Sequence, residues 1–352
     1  MSEENHGGSM PVLSDFKGQG ALYDGLIRTL DDGTFVHAYL ISGAAGMGKR
    51  TLAKLMAQHL LCTGECKPCG ACSSCVQVRE GSHPDVITIS PGKPISPDVK
   101  AGMAGIPVDE IRHVIGIVGQ HTFVGGRRVV IIERAEKMNP PAQNALLKTL
   151  EEPLAGTVFL LLSESPELLL PTIVSRCRAL KLHPWPDEVV LSALSAHNVS
   201  GDMAKKALAA SGGSIGRAIS IAADEAYWQR RRDVMQDFFG ISARVDVLKV
   251  STAWKDRKDE SDALLNDVED MIRTLMLVRF GKQDEGVIAD YPEPWQRLAR
   301  EGELSSFMKL MDAVREARRL RLNQVTWQAV VEQLLLSLME EKANGQRNWR
   351  SI

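Results

Sequence analysis

The feature that most constrains this chain is a glycine-rich segment ending in a lysine, GAAGMGK at residues 43–49. It follows a short apolar run at residues 37–42, which we predict to be a buried strand, and precedes a helical pattern at residues 51–61. In this order, glycines let backbone N–H groups surround phosphate oxygens while the lysine reaches the terminal phosphates. The sequence therefore predicts a phosphate-binding loop. Its candidate nucleotide-contacting residues are Gly43, Gly46, Gly48, Lys49 and Thr51.

Apolar runs and helical patterns alternate over the part of the chain around this loop. Each run is unbroken, as expected when both faces of a parallel sheet are covered. Further strands are predicted at residues 86–89, 129–132 and 158–162. Helices are predicted between them, at residues 108–119 and 141–150. This alternation predicts a three-layer α/β domain with a parallel sheet over residues 1–185.

After the Pro-Trp-Pro segment at residues 184–186 the strand patterns stop. Residues 186–223 predict a small helical lid domain, and residues 224–352 predict an all-α domain. The longest helices of this last domain are predicted at residues 263–278, 304–320 and 325–339. They are amphipathic, so each has an apolar face that must pack against another surface.

Two positions depart from the pattern that ATP hydrolysis requires. The residue after Lys49 should carry a hydroxyl that binds Mg²⁺, but it is Arg50, and Thr51 comes one position late. The predicted strand at residues 129–132 leads into Glu133-Arg134, and arginine has no acceptor with which to position a water. We therefore do not expect the chain to hydrolyse ATP by itself. Binding of ATP or ADP, and a vestigial loop kept for its shape, both remain open.

Charge and hydropathy exclude some classes of protein. Forty-two basic and 44 acidic residues leave a formal net charge of −2, so no global positive field holds nucleic acid. Any contact with DNA must be local or shared with partners. The first ten residues are polar, and no apolar run approaches the roughly 20 residues that span a bilayer. We expect a cytoplasmic protein without a membrane partner.

Five of the six cysteines lie close together in the sequence, between residues 62 and 75. Thiolates spaced as in a CxxC ladder can converge on one Zn²⁺ without closing long loops. In a reducing compartment such a cluster is more typical of a metal site than of disulfides. We predict a structural zinc site with Cys69, Cys72 and Cys75 as ligands. The fourth ligand is either Cys62 or Cys66.

Several segments together resemble the bacterial DNA polymerase III clamp-loader family of AAA+ proteins. The resemblance is close from about residue 37 to residue 178 and loose elsewhere. The segments that carry it are HAYLISGAAGMGK at 37–49, the cysteine cluster, HPD at 83–85, IPVDEIR at 106–112, NALLKTLEEP at 144–153 and SRC at 175–177. The most specific of these is NALLKTLEEP followed by SRC.

This resemblance implies a hetero-oligomer and a role in DNA replication. In the family, five AAA+ modules form an open ring held by a C-terminal helical collar, and the ring places a sliding clamp on primed DNA. The implied partners are the other clamp-loader subunits, gamma/tau and delta, with the clamp and primed DNA reached through the complex. The domain at residues 224–352 then corresponds to the collar. The chain would belong to the polymerase holoenzyme without being catalytic alone.

The resemblance also assigns roles to residues. Arg176, within SRC, is implied to act in trans as an arginine finger on the nucleotide of a neighbouring subunit; the alternative is a surface arginine in an ion pair. For zinc, the resemblance implies Cys62, Cys69, Cys72 and Cys75, with Cys66 as the spare. The second sensor arginine of hydrolysing relatives comes one place late, at Arg217. These departures favour a non-hydrolysing subunit, and an ATP-hydrolysing motor subunit is the alternative.

Overall fold

Five parallel strands form a single sheet in the computed structural model of the chain, in the order β2-β3-β4-β1-β5. The strands are β1 (Ala38–Ser42), β2 (Val86–Ile89), β3 (Arg128–Ile132), β4 (Thr157–Ser163) and β5 (Arg178–Lys181). The structure describes residues 13–347 apart from 103–104, 120–121, 123–125, 154–155, 283–284 and 323–324. The four predicted strands are confirmed to within one residue at each end.

The chain divides into two compact units. The first contains residues up to His197 together with Gly213–Arg217, and the second contains Asn198–Gly212 together with the residues from Ala218 onward. The second unit thus includes a helix from the segment predicted as a separate lid. The three-domain division of the sequence stays a prediction.

Helices of the first unit cover both faces of the sheet. They are α1 (Ala21–Asp31), α2 (Lys49–Leu61), α3 (Ser73–Glu80), α4 (Val108–Val118), α5 (Pro140–Glu151), α6 (Pro171–Val174) and α7 (Asp187–Ala196). Alternate strand residues such as Leu40, Val130 and Phe159 share a core with the apolar faces of α4 and α5. Tyr39 and Ile41 alternate with these residues and are also buried, and α2 contacts β1 and β4. The predicted three-layer α/β class is confirmed.

The order of the parallel strands determines where the site lies. Ser42 at the end of β1 is paired with Ser163 at the end of β4, and Ile132 at the end of β3 is paired with Leu161. The carboxyl ends of these strands therefore lie along one edge of the sheet. In open α/β sheets, ligands bind outside this edge. The segments that follow β1, β3 and β4 are the ones that sequence reasoning connects with nucleotide chemistry.

The second unit is helical throughout its described residues. Its helices are α8 (Gly201–Ser211), α10 (Glu225–Val234), α11 (Arg244–Trp254), α12 (Ser261–Arg279), α13 (Glu293–Glu301), α14 (Leu304–Leu322) and α15 (Trp327–Arg347), while α9 (Ile215–Ala222) crosses the boundary between the units. Its core contains large side chains such as Trp254, Trp295 and Phe307. Among the described residues, no helix combines the length and the apolar character needed to cross a membrane.

Candidate functional site

The glycine loop joins β1 directly to α2, as the sequence predicts. Gly43, Gly46 and Gly48 all have positive φ angles, of 152°, 73° and 94°. Gly46 is also constrained by its surroundings, because a Cβ there would lie 2.5 Å from Ser214 Oγ and 2.6 Å from the Arg217 nitrogen. Only glycine satisfies both the φ angle and the close approach. The loop thus has the course of a phosphate-binding loop at a helix N-terminus.

The side chain of Lys49 is engaged by the loop itself. Its Nζ donates hydrogen bonds to the carbonyl oxygens of Gly43, at 2.7 Å, and Ala44, at 2.8 Å. Glu164, in the segment after β4, lies 3.7 Å from the same nitrogen. Burial lowers the pKa of Lys49, and the carboxylates of Glu164 and Glu136 act in the opposite direction. The ammonium group is therefore surrounded by oxygen acceptors of its own chain.

Arg50, which occupies the position of the expected magnesium-binding hydroxyl, contacts Glu133, the acid that directly follows β3. Arg50 Nε lies 2.7 Å from Glu133 Oε1. The other carboxylate oxygen, Glu133 Oε2, accepts a hydrogen bond of 2.7 Å from Ser90 Oγ. Thr51 is partly buried and lies one residue further along α2, about 100° around the helix axis from Arg50. The Thr51 hydroxyl and the Arg50 side chain therefore leave the helix in different directions.

Arg134 occupies the position where hydrolysing relatives of this pattern carry a carboxylate. It is exposed and has a φ angle of 51°, in the left-handed region that non-glycine residues seldom adopt. A guanidinium group stays protonated and cannot accept a proton from water. Glu133, the neighbouring acid, is already engaged by Arg50 and Ser90. Arg134 therefore supplies no general base for water activation at this strand end.

Three carbonyl groups of the loop accept hydrogen bonds from outside it. Ser214 Oγ donates to the Ala45 oxygen at 2.8 Å, and the Gly216 nitrogen donates to the Gly46 oxygen at 3.0 Å. Trp185 Nε1 donates to the Met47 oxygen at 3.1 Å. Sequence reasoning missed these contacts. The Gly213-Ser214 pair before a helical run was the available signal, but nothing in it indicates a partner 169 residues away.

Arg176 lies just after α6 and is about one-third exposed, at 34% of its side chain. Its Nη2 lies 2.6 Å from Glu151 Oε1, at the end of α5, and its Nη1 donates to the Thr172 oxygen at 2.9 Å. The neighbouring Cys177 is largely buried, and this burial raises the pKa of its thiol to about 12. The chain thus presents a guanidinium group that is about one-third exposed, just after a short helix.

A buried glutamine fixes the segment that leads to Arg176. Gln143, on α5, is 4% exposed. Its Nε2 donates to the Met138 oxygen at 3.1 Å, and its Oε1 accepts from the Leu170 nitrogen at 2.7 Å. One side chain therefore connects the turn after β3 to the start of α6. Sequence reasoning did not single out this residue, because a glutamine within a helical pattern is usually exposed.

Four of the clustered cysteines converge. The Sγ atoms of Cys62, Cys69, Cys72 and Cys75 all lie within 4.8 Å of one another. Two of the separations are 4.0 Å, between Cys69 and Cys75, and 3.9 Å, between Cys62 and Cys72. Thiolates bound tetrahedrally to Zn²⁺ at about 2.3 Å would be roughly 3.8 Å apart, so the four residues fit the ion. Cys66 is exposed and lies outside the group.

Backbone N–H groups point at these sulfur atoms. The nitrogens of Gly64 and Cys69 lie 3.3 Å from Cys62 Sγ, and the nitrogen of Cys72 lies 3.3 Å from Cys69 Sγ. A hydrogen bond from the Cys75 nitrogen lowers the pKa of Cys72 to about 5, whereas burial raises the pKa of Cys75 to about 12. These N–H groups stabilise negative charge on sulfur. The four cysteines could therefore hold a metal ion, with backbone hydrogen bonds that support its ligands.

The fold and the loop together define a class of protein. A parallel sheet in the order β2-β3-β4-β1-β5 carries a phosphate-type loop after β1, an acid after β3 and an exposed arginine beyond β4. This is the arrangement of a P-loop protein of the AAA+ class. The model of a protein family described as DNA polymerase III, delta subunit, matches residues 18–186. This match covers just under half of the chain, and over that part the chain is similar to this family of DNA polymerase III subunits.

Individual relatives of the chain carry names that are consistent with this family. The chain is 47% identical over 143 residues to the DNA polymerase III subunit delta' of Pseudomonas aeruginosa, a match that covers 40% of this chain and 41% of the relative. It is 28% identical over 322 residues to the delta' subunit of Haemophilus influenzae, covering 90% of this chain and 92% of that one. The match thus spans less than half of the first relative and most of the second. The predicted family resemblance is confirmed.

One solved structure illustrates the likeness in shape. A gamma subunit-related protein of DNA polymerase III from Thermotoga maritima is similar over 91% of this chain and 99% of its own, with a TM-score of 0.44 and 16% sequence identity. This likeness carries no argument about function.

Proposed function

We propose that this chain is the delta'-type subunit of a bacterial clamp loader, which assembles with gamma/tau and delta subunits and helps to place the sliding clamp on primed DNA. In this proposal it hydrolyses no ATP itself. It supplies Arg176 to the nucleotide of a neighbouring subunit, and Cys62, Cys69, Cys72 and Cys75 hold one structural Zn²⁺. The similarity to the family and the partly exposed position of Arg176 are the grounds for this role.

The proposal that the chain does not hydrolyse ATP rests on the residues that directly follow β3. Phosphoryl transfer relies on positioning and on charge stabilisation, so the metal and the attacking water both need oxygen ligands in place. Arg134 offers none, and Glu133 is engaged by Arg50 and Ser90. The segment after β4 contributes Glu164 beside Lys49, where it adds negative charge close to the phosphate position. All three features oppose turnover.

The observation that supports the trans role is the way in which Arg176 is held. Its partner Glu151 is half-exposed, and such pairs contribute about 0.2–1 kcal/mol. Exchanging this carboxylate for a phosphate group therefore requires little free energy. A finger arginine is worth about 10³–10⁵ in rate at the interface that it serves. Gln143, on α5, fixes the backbone at the start of the segment that carries Arg176, and this limits the positions of the guanidinium group.

The test is an Arg176→Ala variant in the reconstituted complex with its gamma/tau and delta partners. We expect normal assembly, a moderate loss of total ATP hydrolysis because other interfaces keep their arginines, and a larger loss of clamp loading. Arg176→Lys should restore little, because an ammonium group lacks the planar fork that engages two phosphate oxygens. Arg112→Ala is the matched control, since Arg112 is an exposed arginine paired with Asp109. Wild-type loading by the Arg176→Ala complex would refute the trans role.

A motor role makes the opposite prediction for the isolated chain. If the chain hydrolysed ATP by itself, Lys49→Ala would abolish that turnover because the lysine is the residue that reaches the terminal phosphates. In the proposed role, the isolated wild type and Lys49→Ala both show only background hydrolysis in a steady-state assay. Turnover that depends on Lys49 would favour the motor subunit.

A further inference from the structure

The two departures from the nucleotide-binding pattern touch each other. Arg50 stands where a hydroxyl would bind Mg²⁺, and Glu133 stands where the strand carboxylate would bind the same ion. In the structure, Arg50 Nε and Glu133 Oε1 are 2.7 Å apart. In P-loop sites these two positions are joined through the metal, whereas here they are joined directly. Arg50 and Glu133, the residues now present at the two altered positions, thus form an ion pair with each other.

We infer that the Arg50 guanidinium is a built-in cation that takes the place of the magnesium ion. It connects α2 to the β2–β3 edge of the sheet through three residues. Arg50 extends from the first turn of α2, Glu133 follows β3, and Ser90 follows β2 and donates to Glu133 at 2.7 Å. Glu133 Oε2 therefore accepts a hydrogen bond, and Glu133 Oε1 forms the ion pair with Arg50.

The chemistry of the two cations supports this substitution. Mg²⁺ requires a nearly octahedral set of oxygen ligands at about 2.0–2.1 Å. A guanidinium group carries only N–H donors, so Arg50 cannot be one of those ligands. It also places a permanent positive charge against the carboxylate that the ion would need. The residues present therefore do not fit Mg²⁺, and they do satisfy an internal arginine.

The exposure of the pair distinguishes it from an incidental surface contact. Arg50 is 58% exposed, but Glu133 is only 18% exposed and is held at its second oxygen by Ser90. The carboxylate is thus fixed before the arginine meets it, which reduces the side-chain entropy lost in forming the pair. Many surface pairs lack this fixed partner and contribute nothing measurable.

The lysine and two carbonyl groups of the loop also have partners within the chain. Lys49 donates to two loop carbonyl oxygens and lies near Glu164. Ser214 and Gly216 donate to the loop carbonyls of Ala45 and Gly46. Lys49 thus faces the carboxylates of Glu164 and Glu136, and Arg50 faces that of Glu133. A loop in this state needs no phosphate or metal to complete its charges.

The inference is tested on the isolated full-length chain by titration with Mn²⁺, alone and with ATP, using calorimetry. The wild type should bind no Mn²⁺ at this site and no ATP in a metal-dependent way. Arg50→Thr restores the hydroxyl and frees Glu133, so in this variant Mn²⁺ should tighten ATP binding by about 10- to 100-fold, the range that changes around a metal commonly produce. Arg50→Lys keeps the charge and should remain like the wild type.

Two controls assign the effect to the pair. Adding Glu133→Gln to Arg50→Thr should remove the gained metal dependence, whereas Arg112→Thr, at an exposed arginine elsewhere in the same unit, should change nothing. A double-mutant cycle of Arg50→Gln and Glu133→Gln in thermal unfolding measures the same pair without ligand, and we expect non-additive losses. Metal-dependent ATP binding by the wild type, no gain in Arg50→Thr, or strictly additive losses would each overturn the inference.

This inference is separable from the proposed trans role. It concerns the chain's own loop, and its measurements use no partner subunit. A complex in which Arg176→Ala changes nothing would refute the trans role and leave the Arg50 titrations unaffected. A failed Arg50 titration would equally leave the clamp-loading assay to decide the role of Arg176.

Discussion

At the scale of single residues, the charges around the phosphate loop are arranged in pairs. Arg50 faces Glu133, and Lys49 faces Glu164. The sequence predicts the loss of the metal-binding hydroxyl and of the catalytic carboxylate, because each loss is visible at one position. It does not predict that the replacing residues meet. Residues 50 and 133 are brought together only by the order of the strands, which a local pattern does not contain.

The cysteines show the opposite case, in which spacing alone indicates most of a site. Three members of the cluster follow from the CxxC ladder, and the structure adds that Cys62, not Cys66, lies with them. The choice between these two depends on the path of the chain between residues 62 and 69, which spacing does not reveal.

We expect purified protein to carry about one Zn²⁺, and Cys72→Ser to lose it. Structural zinc contributes roughly 10–16 kcal/mol to small zinc domains, so removing one thiolate should lower the free energy of unfolding by at least about 2 kcal/mol. Elemental analysis and thermal melting measure the two effects. Cys66→Ser is the matched control, because Cys66 is exposed and outside the cluster, and it should keep both metal and stability. Metal-free wild type with melting unchanged by a chelator would contradict the site.

At the scale of elements, unbroken apolar runs were sufficient to predict four strands. The fifth, β5, was missed because only Leu180 of its four residues is buried, as befits a strand at the sheet edge. Helix α15 was predicted to end at residue 339 but ends at Arg347. Its last turns are polar and carry no apolar period, although glutamate, lysine and alanine are good helix formers. Periodicity therefore marks the buried part of an element better than its end.

The contact between the loop and the segment Gly213–Arg217 leads to a prediction for Gly46. Gly46→Ala combines a left-handed backbone with a Cβ that would meet Ser214 Oγ and the Arg217 nitrogen. We expect a loss of about 2–4 kcal/mol in urea unfolding, from backbone strain and overpacking together. Gly81→Ala is the control, since Gly81 has a similar φ angle of 76° but no atom within 4 Å of an added Cβ. Equal losses in the two variants would show that the contact contributes nothing.

At the scale of the whole molecule, the described residues of each unit include a hydrophobic core of their own. The first is built from side chains between Ala38 and Ile173, and the second from side chains between Val234 and Leu338. The sequence predicts this change from an α/β region to a helical region, because alternating strand and helix patterns stop near residue 185. It does not predict that Asn198–Gly212 groups with the second unit. That grouping depends on tertiary contacts such as those between α8 and α12.

We expect a fragment of residues 1–223 to fold and keep its zinc but to fail to join the complex. The fragment retains the whole first core and the segment Gly213–Arg217 that contacts the loop. It loses the helices from α10 onward, whose amphipathic faces we propose to meet the other subunits. Melting and zinc content check the fold, and size-exclusion chromatography with the partners checks assembly. Assembly of the fragment at wild-type affinity would show that the C-terminal helices are not the collar.

The ion pair between Arg176 and Glu151 makes two states of the arginine mutually exclusive. The N–H groups that face Glu151 cannot at the same time face a phosphate, so in the proposed role any ligand must displace a carboxylate. The singly charged carboxylate of Glu151 thus competes with the neighbour's nucleotide for the Arg176 guanidinium group. A terminal phosphate, with more charge and more acceptor oxygens, wins that competition, and a vacant position leaves the arginine on its own chain. In the proposed role, the pair would therefore set a threshold by which the subunit distinguishes a neighbour with a terminal phosphate from one without it.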